Sequence, residues 1–315
     1  MSWFNIFKQS GILNMNRRNA NVILRHNLRR FYPFVDDKLR TKKLLEEHGI
    51  PAPKLYFSIA DNYDLKHIRQ VEELKEFAVK PARGAAGRGI LVLVDKENDK
   101  WKTAAGALLS MEDIIYHVEN ILSGLYSLGG VDDSAFLEYC IRTHNAFSRI
   151  TYHGVPDIRV IVYRGIPLMS MLRLPTKKSG GKANLHQGAI GVGVDMVEGV
   201  TLGGVYRDRF IDTHPDTNAV VSGLQIPFWR HILEVAVKTF DVFKLGYFGV
   251  DFVIDASLGP LILELNARPG LSIQLANRNG IMPRLKLADK LLGDKKIMGP
   301  EQRMEVFHTI SKKFD

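Results

Sequence analysis

The stretch Tyr247–Gln274, YFGVDFVIDASLGPLILELNARPGLSIQ, decides the fold of this chain. Phe248–Ile254 is a short run rich in β-branched and aromatic residues, and Leu261–Leu265 is a second apolar run. Residues 256–260 lie between the two runs and include Ser, Gly and Pro, which are typical of turns. The stretch therefore predicts a β-hairpin.

One face of this hairpin is predicted to carry acidic side chains. Side chains two residues apart on a strand share a face, so we expect Ile262, Glu264 and Asn266 to point the same way. Asp251 on the outgoing strand can face Glu264 across the pair. Two carboxylates and a carboxamide oxygen suit Mg²⁺ bound to nucleotide phosphates. Glu264 could instead be a structural carboxylate, but an unpaired buried charge is costly, and a metal explains all three residues.

Composition and charge restrict the class of protein. The 315 residues can bury a large core and form two or three subdomains. The net charge is +9, and residues 1–35 contribute +6 because they contain no acid. A basic segment on a nearly neutral body argues against nucleic-acid binding over the whole surface. Cys140 is the only cysteine, so an intramolecular disulfide is excluded, and we expect a cytoplasmic protein without a spanning helix.

Residues 1–35 are predicted to form a basic helical arm. Five of its apolar residues can form one stripe: Val22, Ile23, Leu24, Leu28 and Phe31. This stripe could pack on the body of the protein, on a second subunit or on a membrane surface. Packing on protein is the commonest of the three.

The remaining pattern predicts an α+β fold. Strands and helices alternate without the strict repeat of a doubly wound sheet. Strands are predicted at Leu55–Ile59, Phe77–Pro81, Ile90–Val94, Ala135–Ile141, Ile158–Tyr163 and Pro167–Leu174, with at least one hairpin in 188–210. Helices are predicted in 36–49, 61–76, 111–128, 227–245 and 282–315.

A glycine-rich loop lies between two of the predicted strands. It contains Gly84, Gly87 and Gly89 within the sequence RGAAGRG, and Lys80 precedes it. The loop does not open a helix, so it is not a P-loop. Its backbone N–H groups could close over phosphates, and Lys80, Arg83 and Arg88 could supply positive charge. A plain hairpin loop with surface charges is the alternative.

The order of these segments resembles that of ATP-grasp enzymes. The segments are DKLRTKKLLEEHGIPAP, FAVKPARGAAGRGI, FLEYCI, PDIRVIVYRGIP, KANLHQGA, GYFGVDFVID and GPLILELNARPGLSI. They most resemble the α-L-glutamate ligase-like branch, which is related to the glutamate-adding ligases that modify the C-terminus of a ribosomal protein. The resemblance covers about residues 36–275.

The resemblance implies a domain organisation. It implies two α+β subdomains with ATP between them: a small lid and flap subdomain over 36–138, and a large subdomain over 139–315 with the metal site and the C-terminal helices. Related ligases carry a Rossmann-like domain before the Asp-Lys helix. Here the basic arm, 1–35, replaces it, so we expect a substrate site that is truncated or completed by a homo-oligomer or another chain.

The resemblance also implies roles for individual residues. ATP phosphates would be held by Lys38, Lys80 and the flap residues Arg83, Gly84, Gly87, Arg88 and Gly89, and Asp157, on the family's Asp-x-Arg strand, would be a further cofactor-binding residue. Glu138 would accept a hydrogen bond from the amino group of adenine. The edge of the adenine ring would contact the backbone of Tyr139, Cys140 and Ile141. The γ-phosphate, acyl-phosphate and acceptor would meet Arg159, Arg173, Lys182, Asn184 and Arg268. One or two Mg²⁺ ions, replaceable by Mn²⁺, would be bound by Asp251, Glu264 and Asn266.

The implied activity is that of an ATP-dependent carboxylate–amine ligase. Such an enzyme forms an amide or peptide-like bond through an acyl-phosphate, here by adding glutamate or another amino acid to a small-molecule or peptide acceptor. Two alternatives remain open. One is a kinase of the same fold that stops at phosphoryl transfer. The other is a non-catalytic nucleotide-binding protein whose basic arm associates with a membrane or, less readily, a nucleic acid.

Overall fold

The computed structural model describes residues 11–84, 87–127, 129–293 and 298–315. Its described residues divide into two compact units. Unit 1 contains the chain up to Asp36, Leu44–Pro51 and Thr143–Asp315, and unit 2 contains Asp37–Lys43 and Ala52–Arg142. The described part of the segment predicted as a separate basic arm, residues 11–35, therefore belongs to unit 1.

Unit 2 contains a six-stranded antiparallel sheet in the order β1-β6-β2-β3-β4-β5. Its strands are β1 Leu55–Ile59, β2 Phe77–Pro81, β3 Leu91–Glu97, β4 Lys100–Thr103, β5 Leu108–Leu109 and β6 Ala135–Glu138. The helix Met111–Leu122 and the 3₁₀ helix Asn62–Glu73 pack their apolar residues against buried strand residues such as Phe77 and Leu137. β1 and β2 have the predicted bounds, whereas β4 and β5 were not predicted.

Unit 1 contains a seven-stranded antiparallel sheet in the order β11-β10-β9-β8-β7-β12-β13. Its strands are β7 Asp157–Tyr163, β8 Ile166–Leu174, β9 Ile190–Val194, β10 Thr201–Tyr206, β11 Arg209–Ile211, β12 Tyr247–Asp255 and β13 Gly259–Asn266. The hairpin predicted from the opening stretch is β12–β13. The α+β fold class is thereby confirmed.

The remaining described helices are short near the N-terminus of the chain, and most are longer near its C-terminus. They are Met15–Arg17, the π-helix Arg18–Ile23, Leu24–His26, the 3₁₀ helix Arg29–Phe31, Pro33–Asp36, Lys38–Glu47, the 3₁₀ helices Asn145–Phe147 and Leu185–Gln187, Trp229–Phe243, Ile273–Ala276, Met282–Leu292 and Pro300–Phe314. The helix predicted over 111–128 ends early, at Leu122, and Gly124 follows with a positive φ of 76°. In the described ranges no helix has the length and apolar character needed to cross a membrane.

The central strands of unit 1 are buried along their whole length, so a charged residue on them needs a specific partner. Every residue of β7, β8 and β12 is buried. Charged side chains at such positions must be paired, because burying an isolated charge costs far more than a hydrogen bond returns. The charged residues on these three strands are therefore expected to interact with one another.

The hairpin departs from the predicted alternation at one residue. Asp251 pairs with Glu264, but its neighbour Phe252 pairs with Ile262, so Leu263 has no opposite residue. This is a β-bulge, and it interrupts the alternation. The expectation that Ile262 shares a face with Glu264 and Asn266 is therefore wrong, although the pairing of Asp251 with Glu264 is confirmed.

The predicted apolar stripe of the arm is buried only in part. Val22 and Ile23 are 5% and 4% exposed, whereas Leu24 and Leu28 are 67% and 54% exposed. The α-helical spacing is broken by the π-helix over Arg18–Ile23, and the helix ends before Asn27. A π-turn changes the angle between successive side chains, so residues on one predicted face separate.

Asn27 attaches the arm to the hairpin. Its carboxamide accepts from the Tyr247 N–H at 2.7 Å and donates to the Tyr247 carbonyl at 2.7 Å and the Ala267 carbonyl at 3.3 Å. The β12–β13 ladder begins at Gly249, so no β13 residue pairs with Tyr247. The side chain of Asn27 therefore replaces a strand residue at the edge of the sheet.

Replacing Asn27 tests this attachment. Asn27→Ala leaves the buried N–H and C=O groups of Tyr247 without a partner, so the free energy of unfolding should fall by about 2–4 kcal/mol. Urea denaturation of the full chain measures it. Asn21→Ala is the control, because Asn21 is exposed on the same arm. Equal stability of the two variants would contradict the role given to Asn27.

Candidate functional site

Four charged residues of the unit 1 sheet lie on one face of adjacent strands. Asp251 on β12 is opposite Arg159 on β7, and Asp157 on β7 is opposite Arg173 on β8. Asp157 and Arg159 are two residues apart on one strand, so they share a face. Glu264 on β13 extends the row beyond Asp251. The register alone brings residues from four strands together.

Asp251 is at the centre of the cluster. Its Oδ1 accepts from Arg159 Nε at 2.7 Å, and its Oδ2 accepts from Arg159 Nη2 at 2.5 Å and Arg173 Nη2 at 2.6 Å. Arg173 also donates through Nη2 to Asp157 Oδ2 at 2.7 Å and through Nε to Asp157 Oδ1. Both guanidinium groups are therefore oriented by two-point contacts with carboxylates.

Gly249 packs closely beside the cluster, between Pro269 and Arg159. A Cβ atom at Gly249 would lie 3.1 Å from Pro269 Cβ and 3.6 Å from Arg159 Nε. The contact with Pro269 would be tight, whereas the contact with the Arg159 guanidinium would be an ordinary van der Waals contact. Glycine therefore lets Pro269 pack closely on β12, two residues before the buried carboxylate.

Burial and pairing act in opposite directions on the pKa values of the two aspartates. Burial raises the pKa of Asp251, but Arg159 and Arg173 outweigh it and hold this pKa below the ordinary carboxyl value. Burial also raises the pKa of Asp157, and the negative charge of Asp251 adds to the increase beyond what Arg173 offsets. Asp251 is thus the carboxylate that stays ionised.

The hairpin carboxyl groups fit a divalent cation. Asp251 is fully buried, Glu264 is 37% exposed, and the two lie within hydrogen-bonding reach of each other. Two carboxyl groups in contact require a proton or a cation between them. Asp251 is the ionised carboxylate, paired with two guanidinium groups, and Glu264 adds a further carboxyl group beside it. The donor set consists of carboxyl oxygens, which Mg²⁺ prefers.

The fit is partial, because the protein would supply only some of the ligands. A carboxylate has about four lone-pair positions, and three hydrogen bonds to Asp251 leave about one for a metal. The Asn266 carboxamide oxygen accepts from the Arg268 N–H at 2.9 Å. Within the described ranges no three His, Cys, Asp or Glu side chains form a group that could hold a metal.

The contacts of the predicted acceptor residues Arg268 and Asn184 are made outside this cluster. Arg268 is exposed, and its guanidinium carbon lies 4.7 Å from the ring centroid of Tyr32 on the arm. Lys182 is exposed, and Asn184 accepts from the His186 N–H at 3.0 Å within its own loop. That loop is held at its ends by Thr176, which donates through Oγ1 to the Gly188 carbonyl at 2.7 Å.

Unit 2 contains a second buried group of charges. The Glu138 carboxylate, 1% exposed, pairs with Lys42 Nζ at 2.5 Å and with Lys80 Nζ. Lys42 also donates to the Pro53 carbonyl at 2.7 Å. Burial raises the pKa of Glu138, but the two ammonium groups outweigh it and hold this pKa below the ordinary value. The side chain predicted to meet adenine thus has two lysine partners.

The first end of the flap is held by Lys38 and Asp133. Lys38 Nζ donates to the Gly84 carbonyl at 2.5 Å. Both carboxylate oxygens of Asp133 accept from the Arg83 N–H at 3.0 Å, and one accepts from Ser127 Oγ at 2.8 Å. Ala85 and Ala86 lie outside the described residues. The flap therefore starts from a fixed point.

The second end of the flap is held by an aromatic pair. His117 Nε2 lies 2.9 Å from the Gly89 carbonyl, and its ring lies against Tyr126. Gly89 has a φ of 72°, and a Cβ there would lie 2.5 Å from the Tyr126 ring. Burial lowers the pKa of His117, which favours the neutral ring as donor. Glycine is required at this end by conformation and by contact.

Several of these residues were not predicted from the sequence. Lys42 pairs with Glu138, and Asp133 and His117 contact the two ends of the flap. None of the three was among the candidates. A signal existed for Lys42, because it is four residues after Lys38 on one helix and so lies on the same face. No local pattern marks Asp133 or His117, since their partners are distant in sequence.

Comparison with solved structures agrees with the fold. The structure of a biotin carboxylase β,γ-ATP complex from Campylobacter jejuni matches with a TM-score of 0.53 and 15% identity, over 96% of this chain and 51% of that one. The ATP-grasp ligase PsnB with its minimal precursor matches with a TM-score of 0.45 and 15% identity, over 82% of this chain. The D-alanine–D-alanine ligase of Bacillus anthracis matches with a TM-score of 0.44 and 13% identity, over 91% of this chain and 70% of that one. The chain spans 60% of the PsnB chain.

Comparison with models of protein families is more specific than comparison with solved structures. No curated protein sequence matches the chain. The model of the sugar-transfer associated ATP-grasp family, in contrast, matches residues 17–290. The match begins within the arm and continues past the hairpin. It confirms the ATP-grasp superfamily and does not test the resemblance to the glutamate ligase-like branch. The chain belongs to the sugar-transfer associated ATP-grasp family.

Proposed function

We propose that this protein is an ATP- and Mg²⁺-dependent ligase that joins a carboxylate to an amine. The observation that carries the proposal is the contact between Asp251 and Glu264 on the hairpin. Asp251 also forms ion pairs with Arg159 and Arg173. Structural ion pairs alone would not require a third, partly exposed carboxyl group beside a buried, fully ionised one. A cation that carries nucleotide phosphates explains that group.

The metal would be held by Asp251 and Glu264, with Asn266 as a further oxygen ligand once its contact with the Arg268 N–H is exchanged. When bound, Mg²⁺ would reduce the negative charge on the ATP phosphates, and Mn²⁺ is expected to substitute. One or two ions are compatible with the donor set, since phosphate and water supply the remaining ligands.

Arg159 and Arg173 have a role of their own in this proposal. They hold Asp251 ionised at physiological pH. Their remaining N–H groups can donate to an anion on this face of the sheet. Because both guanidinium groups are buried and oriented before substrate arrives, little reorganisation is needed as negative charge develops on the transferring phosphoryl group.

Unit 2 would supply the other nucleotide contacts. The proposal assigns the phosphates to Lys38, Lys80 and the flap from Arg83 to Gly89, and the adenine edge to the backbone of Tyr139–Ile141. Glu138 and Lys42 would orient Lys80, since Glu138 pairs with both lysines. The contact of Glu138 with the adenine amino group stays a prediction.

The reaction follows from these groups. An oxygen of the substrate carboxylate attacks the γ-phosphorus of ATP, which breaks the bond to the bridging oxygen and gives an acyl-phosphate and ADP. The amine then attacks the acyl carbon, and phosphate leaves as the amide forms. Lys182, Asn184 and Arg268 are proposed to meet the acyl-phosphate and the acceptor. Glutamate or another amino acid is proposed as one partner in the bond.

The experiment is a measurement of ADP release from ATP and Mg²⁺ against a panel of amino acids, short peptides and amino sugars, with products identified by mass spectrometry. ADP release that requires both an acid and an amine, with a product of their combined mass less water, supports the ligase. ADP release without an amine, and a phosphorylated product, would instead identify a kinase.

Glu264→Gln tests the metal role. It removes one charge from a partly exposed side chain, so the fold should persist while the rate of ADP formation falls by about 100-fold or more. Excess Mg²⁺ should restore part of the lost rate. Glu305→Gln is the control, because Glu305 is exposed on the C-terminal helix. Unchanged ADP formation in Glu264→Gln at limiting Mg²⁺ would rule out the assignment.

Lys42→Gln tests the positioning of Lys80. It leaves the buried Glu138 with one ammonium partner, so the free energy of unfolding should fall by about 3 kcal/mol. The KM for ATP should rise more than kcat falls, because Lys80 is then drawn to Glu138. Lys43→Gln is a matched control, since the adjacent Lys43 is exposed. If both variants have the KM and stability of the wild type, the Lys42–Glu138–Lys80 group has no such role.

A further inference from the structure

The arm carries exposed apolar and basic side chains together. Leu24 and Leu28 are 67% and 54% exposed, and Arg25, Arg29 and Arg30 next to them are exposed too. A single exposed leucine needs no explanation. Two within five residues, interleaved with three arginines, form a distinct feature. We call these five residues, Leu24, Arg25, Leu28, Arg29 and Arg30, the arm surface.

The positive charge of the arm surface is not balanced within its segment. The sequence contains no acid before Asp36. Arg30 instead lies over the ring of Phe31, with its guanidinium carbon 4.9 Å from the ring centroid. The opposite side of the arm is fixed by Val22, Ile23 and Asn27, which are buried. The arm surface thus faces away from the body on a rigidly attached segment.

We propose that the arm surface binds an anionic phospholipid membrane at its interface. Arginines would pair with lipid phosphates, while the two leucines insert among the acyl chains near the headgroups. This combination of charge and apolar area is what distinguishes an interfacial segment from a merely basic one. The proposal does not depend on the ligase activity.

Other occupants fit the arm surface less well. A symmetric contact with a second copy would place these arginines against themselves, and like charges in contact are repulsive. A nucleic acid would pair with the arginines but offers no apolar environment for Leu24 and Leu28. An anionic bilayer satisfies both kinds of side chain.

Membrane binding through the arm would also position the β12–β13 hairpin. Asn27 holds Tyr247 at the start of β12, and Arg18 donates through Nη1 to the Pro269 carbonyl at 2.8 Å, just after β13. Arg268 lies over Tyr32 on the same segment. A lipid-bound arm would therefore keep the β12–β13 hairpin of unit 1 close to the bilayer.

The test is flotation of the full-length protein with lipid vesicles. Wild type should bind vesicles of phosphatidylcholine mixed with phosphatidylglycerol and bind phosphatidylcholine alone much less, with binding reduced by salt. R25Q/R29Q/R30Q should lower the partition coefficient about 100-fold, because each arginine contributes about fivefold near an anionic surface. L24S/L28S should lower the partition coefficient about fivefold or more and leave its salt dependence unchanged.

Matched controls separate the arm from charge and apolarity in general. R207Q/R209Q/R230Q removes the same charge from exposed arginines elsewhere, and L202S/L258S removes two leucines that are 49% and 56% exposed. These variants should bind like wild type, and all should keep its melting temperature. The proposal is overturned if wild type does not bind anionic vesicles or if the arm variants bind as tightly as the controls. If RNA displaces the wild type from vesicles, and if L24S/L28S binds vesicles as tightly as the wild type, the proposal is overturned in favour of a nucleic acid.

Discussion

The buried carboxylate of Asp251 is the constraint on which the unit 1 site depends. A charge on a fully buried strand is tolerated only if its partners are also fixed. Arg159 and Arg173 meet that requirement from the two preceding strands of the sheet, and Asp157 in turn fixes Arg173. The packing of Pro269 over Gly249 completes the arrangement. The stability of this face of the sheet and the proposed metal site therefore depend on the same contacts.

The same principle operates in unit 2, where a buried carboxylate is again held by two cationic side chains. Glu138 is a buried anion held by two lysines, and the group carries a net positive charge suited to phosphate. The flap is fixed at both ends, by Asp133 at Arg83 and by His117 at Gly89. In each unit, buried pairs orient charged side chains that would otherwise be free to move, and the proposed phosphoryl transfer would depend on this pre-organisation.

The sequence predicts the hairpin well but not its details. The β-branched runs and turn residues of Phe248–Leu265 are strong local signals, and the pairing of Asp251 with Glu264 followed from them. The bulge at Leu263 is a one-residue insertion with no local signature. The arm was predicted to place Leu24 and Leu28 on one apolar stripe with Val22 and Ile23, but the π-helix changed the spacing, and only Val22 and Ile23 are buried. Asp133 and His117 act on distant partners, which periodicity cannot reveal.

The central claim is that the Asp251–Glu264 pair is a divalent-cation site. Its most direct test is Mn²⁺ binding, followed by electron paramagnetic resonance, to the full chain with a non-hydrolysable ATP analogue. We predict that wild type immobilises Mn²⁺ in the presence of the analogue. We predict that Glu264→Gln still binds the analogue but loses most of the immobilised Mn²⁺. Equal Mn²⁺ immobilisation in the two proteins would contradict the claim.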